Sequence, residues 1–177
     1  MLRISTLCWL LLSVPMLVTS GDQPEISWDG TLAWIREEFP TAKHISPQQL
    51  YDRVEAGDSV VLIDAREAHE FAISHLPEAR RALTLEEAKK VLPEALGEEV
   101  AIIVYCSVGY RSSRLAVELQ EAGYENVFNL EGSIFRWANE GMPLECDGKP
   151  VTGVHPFNPE WGKLLKESLW QGLEASE

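Results

Sequence analysis

The chain has 177 residues, enough for one domain with a substantial buried core. Hydrophobic and charged fractions of 45% and 24% are those of an ordinary globular protein. The 28 acidic residues outweigh 15 basic ones for a formal net charge of −13, which argues against nucleic-acid binding, since phosphate contacts need a basic face.

Met1 to Ser20 stands apart. One early cation, Arg3, precedes the apolar run Leu7 to Val18, and Ser20 supplies a small residue where a peptidase would cut. This outline is a secretory signal peptide, too short for a comfortable membrane span. It predicts a periplasmic or secreted protein with no span after cleavage; an uncleaved anchor is the alternative. Only Cys106 and Cys146 then remain. A helix near residues 133–140 would carry the chain about 12 Å from one sheet edge toward the other. A disulfide needs Cα atoms within about 7 Å, so both thiols are expected to be free.

Residues 21–24 read as a disordered start. Trp28, Leu32, Ile35 and Phe39 then share one helical face, with Ser27 as N-cap and Pro40 as stop. Ser46-Pro47-Gln48-Gln49 is a capping box with proline at the first helical position; Leu50 and Val54 give the buried side and Gly57 the end. Residues 59–63 form the next predicted strand, with Asp64 at its carboxyl end, and residues 67–73 a short helix. Residues 80–83 make an edge strand, Thr84-Leu85-Glu86-Glu87 a second capping box, and residues 93–99 a turn-rich connection. Val127 to Leu130 is the last strand, and Gly132-Ser133 leads into a helix carrying Ile134 and Trp137. Residues 145–157 read as loop. Asn158-Pro159 then caps a final helix with Trp161, Leu165, Leu169 and Leu173 at four-residue spacing. Strands alternating with helices argue for an α/β fold with a mostly parallel sheet.

Chemistry concentrates in Tyr105-Cys106-Ser107-Val108-Gly109-Tyr110-Arg111-Ser112-Ser113-Arg114. The run Val100 to Tyr105 reads as a buried strand. Leu115, Leu119 and Ala122 follow at helical spacing until Gly123. Cys106 therefore sits where a strand ends and a helix begins, the edge where open α/β sheets bind ligands. A tight loop there turns backbone N–H groups inward as an anion nest, and the helix adds its positive end. That field lowers a cysteine pKa. Gly109 gives the loop its curvature, and Arg111 adds a fixed charge with a planar fork of donors.

This loop resembles the active-site loop of rhodanese-like sulfurtransferases. Two further stretches carry the resemblance: Val61 to Ala79, with Asp64-Ala65-Arg66, Glu70-Phe71 and Ser74-His75-Leu76-Pro77, and Asn129 to Leu144, with Leu130-Glu131-Gly132-Ser133. It spans roughly Ile45 to Leu144. It implies a five-stranded, mostly parallel sheet with helices on both faces. The chain then divides into a signal peptide (1–20), an N-terminal extension with an amphipathic helix (21–43), a rhodanese-like domain (44–144) and a C-terminal extension with an amphipathic helix (145–177). It also implies that Cys106 takes a sulfane sulfur from a donor, holds it as a persulfide and passes it to a thiophilic acceptor, with no cofactor; His44, His69 and His155 show no metal-ligand spacing, and no metal is expected. Donor and acceptor would be small sulfur-containing anions or a protein persulfide or thiol. Ser107, Val108, Gly109, Tyr110, Arg111 and Ser112 would surround the substrate.

Asp64 and Arg66 are read as support for the loop: Asp64 as a partner for Arg111, and Arg66 paired with Glu70 four residues on. Ser112 or Ser113 is expected to cap the helix, Tyr110 to wall the pocket, and His75 to hold its turn. The terminal helices carry four of the five Trp residues after position 20; they cover an apolar face of the domain or join two copies as a homodimer. Departures from the family pattern include Glu70 and Ser107 where cations often stand, which weakens the case for the thiosulfate dianion. Ser74, Glu78 and Ser133 replace glycines, which should alter local turns. Two rivals remain. One is a non-catalytic binding module, against which the cysteine speaks. The other is a phosphatase or arsenate reductase, whose Cys-x5-Arg loop is one residue longer than the four residues between Cys106 and Arg111.

Overall fold

The computed structural model describes residues 26–97 and 99–173; the predicted signal peptide lies outside them. The sheet has five parallel strands in the order β1-β5-β4-β2-β3: β1 (His44–Ile45), β2 (Val60–Asp64), β3 (Arg80–Arg81), β4 (Ala101–Tyr105) and β5 (Val127–Leu130). β4 lies at the centre with all five residues buried, as expected for a strand covered on both faces. Alternation along it divides two cores. Ala101, Ile103 and Tyr105 join Leu50 of α2 (Pro47–Glu55) and Ile134, Phe135 and Trp137 of α6 (Ser133–Asn139). Ile102 and Val104 join Ala88 of α4 (Leu85–Val91) and Leu115, Ala116 and Leu119 of α5 (Tyr110–Glu121). Helices therefore cover both faces, as expected.

Most predicted local signals are in place. Ser27 caps α1 (Trp28–Glu38) by accepting from the Gly30 N–H at 3.1 Å. Both halves of the Ser46–Gln49 capping box form. At Thr84 only half does, since the Glu87 carboxylate accepts from the Leu83 N–H instead. The short α3 (Ala68–Phe71) follows β2. Val54 is exposed rather than buried, because α2 turns only Pro47 and Leu50 fully inward.

The C-terminal extension departs from expectation. Residues 144–151 form an antiparallel hairpin, β6 (Leu144–Cys146) with β7 (Lys149–Val151), turned by Asp147 and Gly148, both at positive φ. The last amphipathic helix is only α7 (Pro159–Gly162), followed by a 3₁₀ turn at Glu167–Leu169. A Cβ on Gly162 would meet the Trp170 ring at 2.6 Å, so the chain doubles back where a continuous helix would run straight. Trp28, Trp161 and Trp170 pack, partly buried, against the core that α6 supplies. The extensions thus pack on the domain itself. No helix among the described residues is long and apolar enough to cross a membrane.

Cys106 and Cys146 are both free. Cys146 is not carried to the opposite edge, however. The hairpin folds back, pairing Glu145 with His75, and the Cys146 thiol meets the Ala72 carbonyl at 3.2 Å.

Candidate active site

β4 ends at Tyr105, and Cys106 begins the loop that α5 closes. β2 and β4 are parallel and in register, Asp64 opposite Tyr105, so Asp64 reaches the same edge. Gly109, at φ +119, is the N-cap of α5; side chains of Ile35 and Asn129 lie 3.4 Å from where a Cβ would stand. Its N–H points at the Cys106 Sγ, 3.2 Å away, and the Ser112 hydroxyl lies 3.4 Å from the same sulfur. The expected nest is therefore part backbone and part hydroxyl. Ser112 does not cap the helix; its hydroxyl donates to Asn129 Oδ1 at 2.6 Å. Ser113 does not cap it either, and its hydroxyl is buried without a partner.

Burial pushes the Cys106 thiol up. The charge of Arg111, the Ser112 hydroxyl and the N–H groups of Ser112 and Gly109 more than offset it, and the pKa falls below its ordinary value. The loop closes far over the sulfur: Cys106 is 1% exposed. It forms the floor of a cavity of about 220 Å³, walled by Trp34, Val108, Tyr110, Phe157 and Trp161, with Ser107 and Arg111 at the side. Tyr110 walls the pocket as expected, stacked on Trp34 at 4.5 Å.

The ion pairs differ from those expected. Arg66 turns back onto Asp64, two residues earlier, with Nε at 2.9 Å and Nη2 at 2.7 Å, and also donates to the Ser74 carbonyl. Arg111 does not reach Asp64 but forms a bidentate pair with Glu70, at 2.7 and 2.9 Å, and donates to Ser107 Oγ at 2.9 Å. Glu70 also accepts from the Ser107 hydroxyl. Burial would raise the Glu70 carboxyl; the bonds and charge of Arg111, the Glu67 N–H and the charge of Arg66 instead lower it to about 2. Arg66 starts before α3 does, so helical spacing between residues 66 and 70 never applies. His75 holds its turn, with Nδ1 3.1 Å from the Leu76 carbonyl oxygen.

Five contributors escape sequence reasoning: Ser133, Asn129, Trp34, Phe157 and Trp161. Ser133 sits at φ +50 and Glu78 at φ +62, in the left-handed region that favours glycine, whereas Ser74 does not. The Ser133 hydroxyl accepts from the Cys106 N–H at 3.0 Å and donates to the Leu130 carbonyl at 3.1 Å, strapping the loop to β5. Asn129, buried in β5, links Ser112 to His44; a polar residue inside an apolar strand was its only signal. Trp34 lies off the apolar stripe of α1, and Phe157 and Trp161 come from the C-terminal extension, so no motif joined them to Cys106. Among the described residues no group of three or more His, Cys, Asp or Glu side chains could hold a metal ion.

The model of the rhodanese-like domain matches residues 46–140, more than half of the sequence. The chain belongs to the rhodanese-like family. This rhodanese-like chain is 34% identical over 105 residues to the thiosulfate sulfurtransferase GlpE of Actinobacillus pleuropneumoniae, across 59% of its own length and 94% of the relative's. It is 30% identical over 103 residues to a sulfurtransferase of Allochromatium vinosum, covering 56% and 92%. These relatives support a rhodanese-type sulfurtransferase in general. The fold matches a crystal structure of thiosulfate sulfurtransferase from Pseudomonas aeruginosa with a TM-score of 0.58 at 21% identity, over 76% of this chain and 26% of that one. It also matches a Rhodopseudomonas palustris protein described as a possible tyrosine phosphatase, with a TM-score of 0.52 at 20% identity, over 67% and 94%. At such identities the two structures speak for the fold alone.

Proposed function

We propose that this rhodanese-like chain moves a sulfane sulfur from a donor to a thiophilic acceptor through a persulfide on Cys106. One observation carries the reading: a thiol held below its ordinary pKa at the floor of a cavity, 3.2 Å from the Gly109 N–H at the start of α5. The Cys106 thiolate attacks the outer sulfur of the donor. A bond forms to Sγ, the donor's S–S bond breaks, and the remainder leaves with the electron pair. A second nucleophile, cyanide or a thiol, then takes the outer sulfur and restores the thiolate, a covalent ping-pong cycle. The N–H groups of Gly109 and Ser112 and the end of α5 hold the negative charge in both states without reorganising.

Arg111 clamps the loop in this scheme. Its guanidinium is bound to Glu70 before any substrate arrives, so a dianion meets a neutralised pair. This supports persulfide or polysulfide over thiosulfate as the better donor. Cyanolysis assays with thiosulfate and with polysulfide test the proposal: turnover is expected in the parent and none in Cys106→Ser. Turnover persisting in that variant overturns it. The phosphatase reading predicts Cys106-dependent hydrolysis of p-nitrophenyl phosphate; we expect none, because four residues between Cys106 and Arg111 make a ring too narrow for a phosphoryl group. Export belongs to the same reading, and the first residue of the native protein tests it.

A further inference from the structure

We propose that the cavity above Cys106 selects a sulfur carrier with an apolar organic body, such as an alkyl or aralkyl hydropersulfide, whose sulfane tip alone reaches the thiol. This rests on the sulfur-transfer reading and goes beyond it. The walls are aromatic and come largely from outside the family's own stretch. Trp34, Phe157 and Trp161 all lie beyond residues 46–140, and only Tyr110 lies within them. The four act as a set. Trp34 is sandwiched between Tyr110 at 4.5 Å and Trp161 at 6.1 Å, both near parallel, and Phe39 braces Tyr110 edge-on at 5.0 Å. Phe157 lies under the Arg111 guanidinium at 4.9 Å. It holds φ +66, a conformation disfavoured for a bulky side chain, and the residue is 41% exposed while lining the cavity. A local turn, closed by the Asn158 N–H on the Pro156 carbonyl at 2.8 Å, holds this backbone, and a ligand that covers the ring accounts for an exposed aromatic beside a reactive thiol.

Charge points the same way. Arg111 is the one cation among the lining residues, and its fork is occupied by Glu70, which stays ionised down to about pH 2. A substrate whose affinity depends on negative charge finds no unpaired donor fork there. A substrate with an apolar body finds aromatic surface that water leaves favourably. Depth completes the selection. With Cys106 1% exposed, only a slender group reaches Sγ, and an S–S bond of about 2.05 Å is such a group. In the transfer, Sγ forms a bond to the outer sulfur of R–S–SH, the S–S bond breaks, and R–S⁻ leaves with its electron pair. The transferred sulfur keeps its proton, so the products are a hydropersulfide on Cys106 and R–S⁻. No oxidant is needed.

The test compares single-turnover loading of the full-length protein with benzyl, methyl and 2-sulfoethyl hydropersulfide, read as the mass gained on Cys106. We expect the benzyl compound to load with a kcat/KM roughly tenfold above the methyl one, the scale of burying one ring. The sulfonate should be the slowest. In Phe157→Ala and Trp34→Ala the benzyl-to-methyl ratio should fall to within about threefold. Phe157 stands at the surface, so its truncation keeps the test alive should Trp34→Ala fail to fold. Equal loading by benzyl and methyl compounds in the parent protein overturns the selection while leaving sulfur transfer standing. Failure of all three compounds, and of polysulfide, to modify Cys106 overturns both.

Discussion

Replacing Glu70 by Gln probes the buried pair that shapes the loop. The Glu70 side chain is fully buried and takes both arms of Arg111. Its pKa falls from 4.5 to about 2, which corresponds to about 3 kcal/mol of native-state stability at neutral pH. Glutamine keeps one acceptor for Arg111 and Ser107 but loses the charge, so the expected cost at pH 7 is roughly 2–3 kcal/mol. The sign is definite. The folded-state pKa is depressed, so this stabilisation is complete above pH 4.5 and drains away as pH falls through that value toward 2. Parent and variant should therefore differ most at neutral pH and converge in acid, where Glu70 is itself protonated. Urea unfolding followed by tryptophan fluorescence, at pH values from 7 down to 2.5, measures the gap. A gap under about 0.5 kcal/mol at pH 7, or one that stays constant into acid, would refute the claim that the Arg111 pair holds Glu70 ionised.

Iodoacetamide alkylation of Cys106 against pH should show a midpoint below the ordinary thiol value of 9.0. Arg111→Met should move it upward, since the thiolate loses a cation and gains an unneutralised Glu70; an unmoved midpoint removes Arg111 from the account. Ser133→Ala keeps the left-handed strain without the hydroxyl, whereas Ser133→Gly relaxes it. Glycine should be the more stable of the two by about 1 kcal/mol in denaturant titration, and the reverse order would contradict the φ of +50. Tyr105→Phe removes the acceptor of the buried Leu76 N–H, 3.1 Å away, and should cost about 1–2 kcal/mol. No loss in a thermal or chemical melt would mean that this N–H finds another partner.

The strand, loop and helix around Cys106 were legible because each depends on near neighbours. The apolar run of β4, the glycine at a left-handed turn and the stripe of α5 are set within some twenty residues. The ion pairs were not. Arg66 and Glu70 look like helical neighbours only if a helix already spans both, and α3 begins at Ala68. With Arg66 ahead of the helix, its short route is back to Asp64, which leaves Glu70 for Arg111. The hairpin at 144–151 did have a signal, since Asp147-Gly148 is a turn pair whose positive φ values suit tight hairpins. The last helix failed for a distant reason: Gly162 leaves room for the Trp170 ring, and packing there outweighs the four-residue spacing.

By itself the sequence determined the layered α/β architecture, the placement of a cysteine at the carboxyl end of a central strand, and the family whose three motifs surround it. These follow from periodicity, capping and turn chemistry, which act over a few bonds. Only tertiary structure decided which carboxylate meets Arg111, how deeply Cys106 lies, and that both terminal extensions converge on it. Such contacts join residues separated by up to 127 positions in the chain, as Trp34 and Trp161 are. Local chemistry carries no record of them, because they form only when separately folded surfaces pack together.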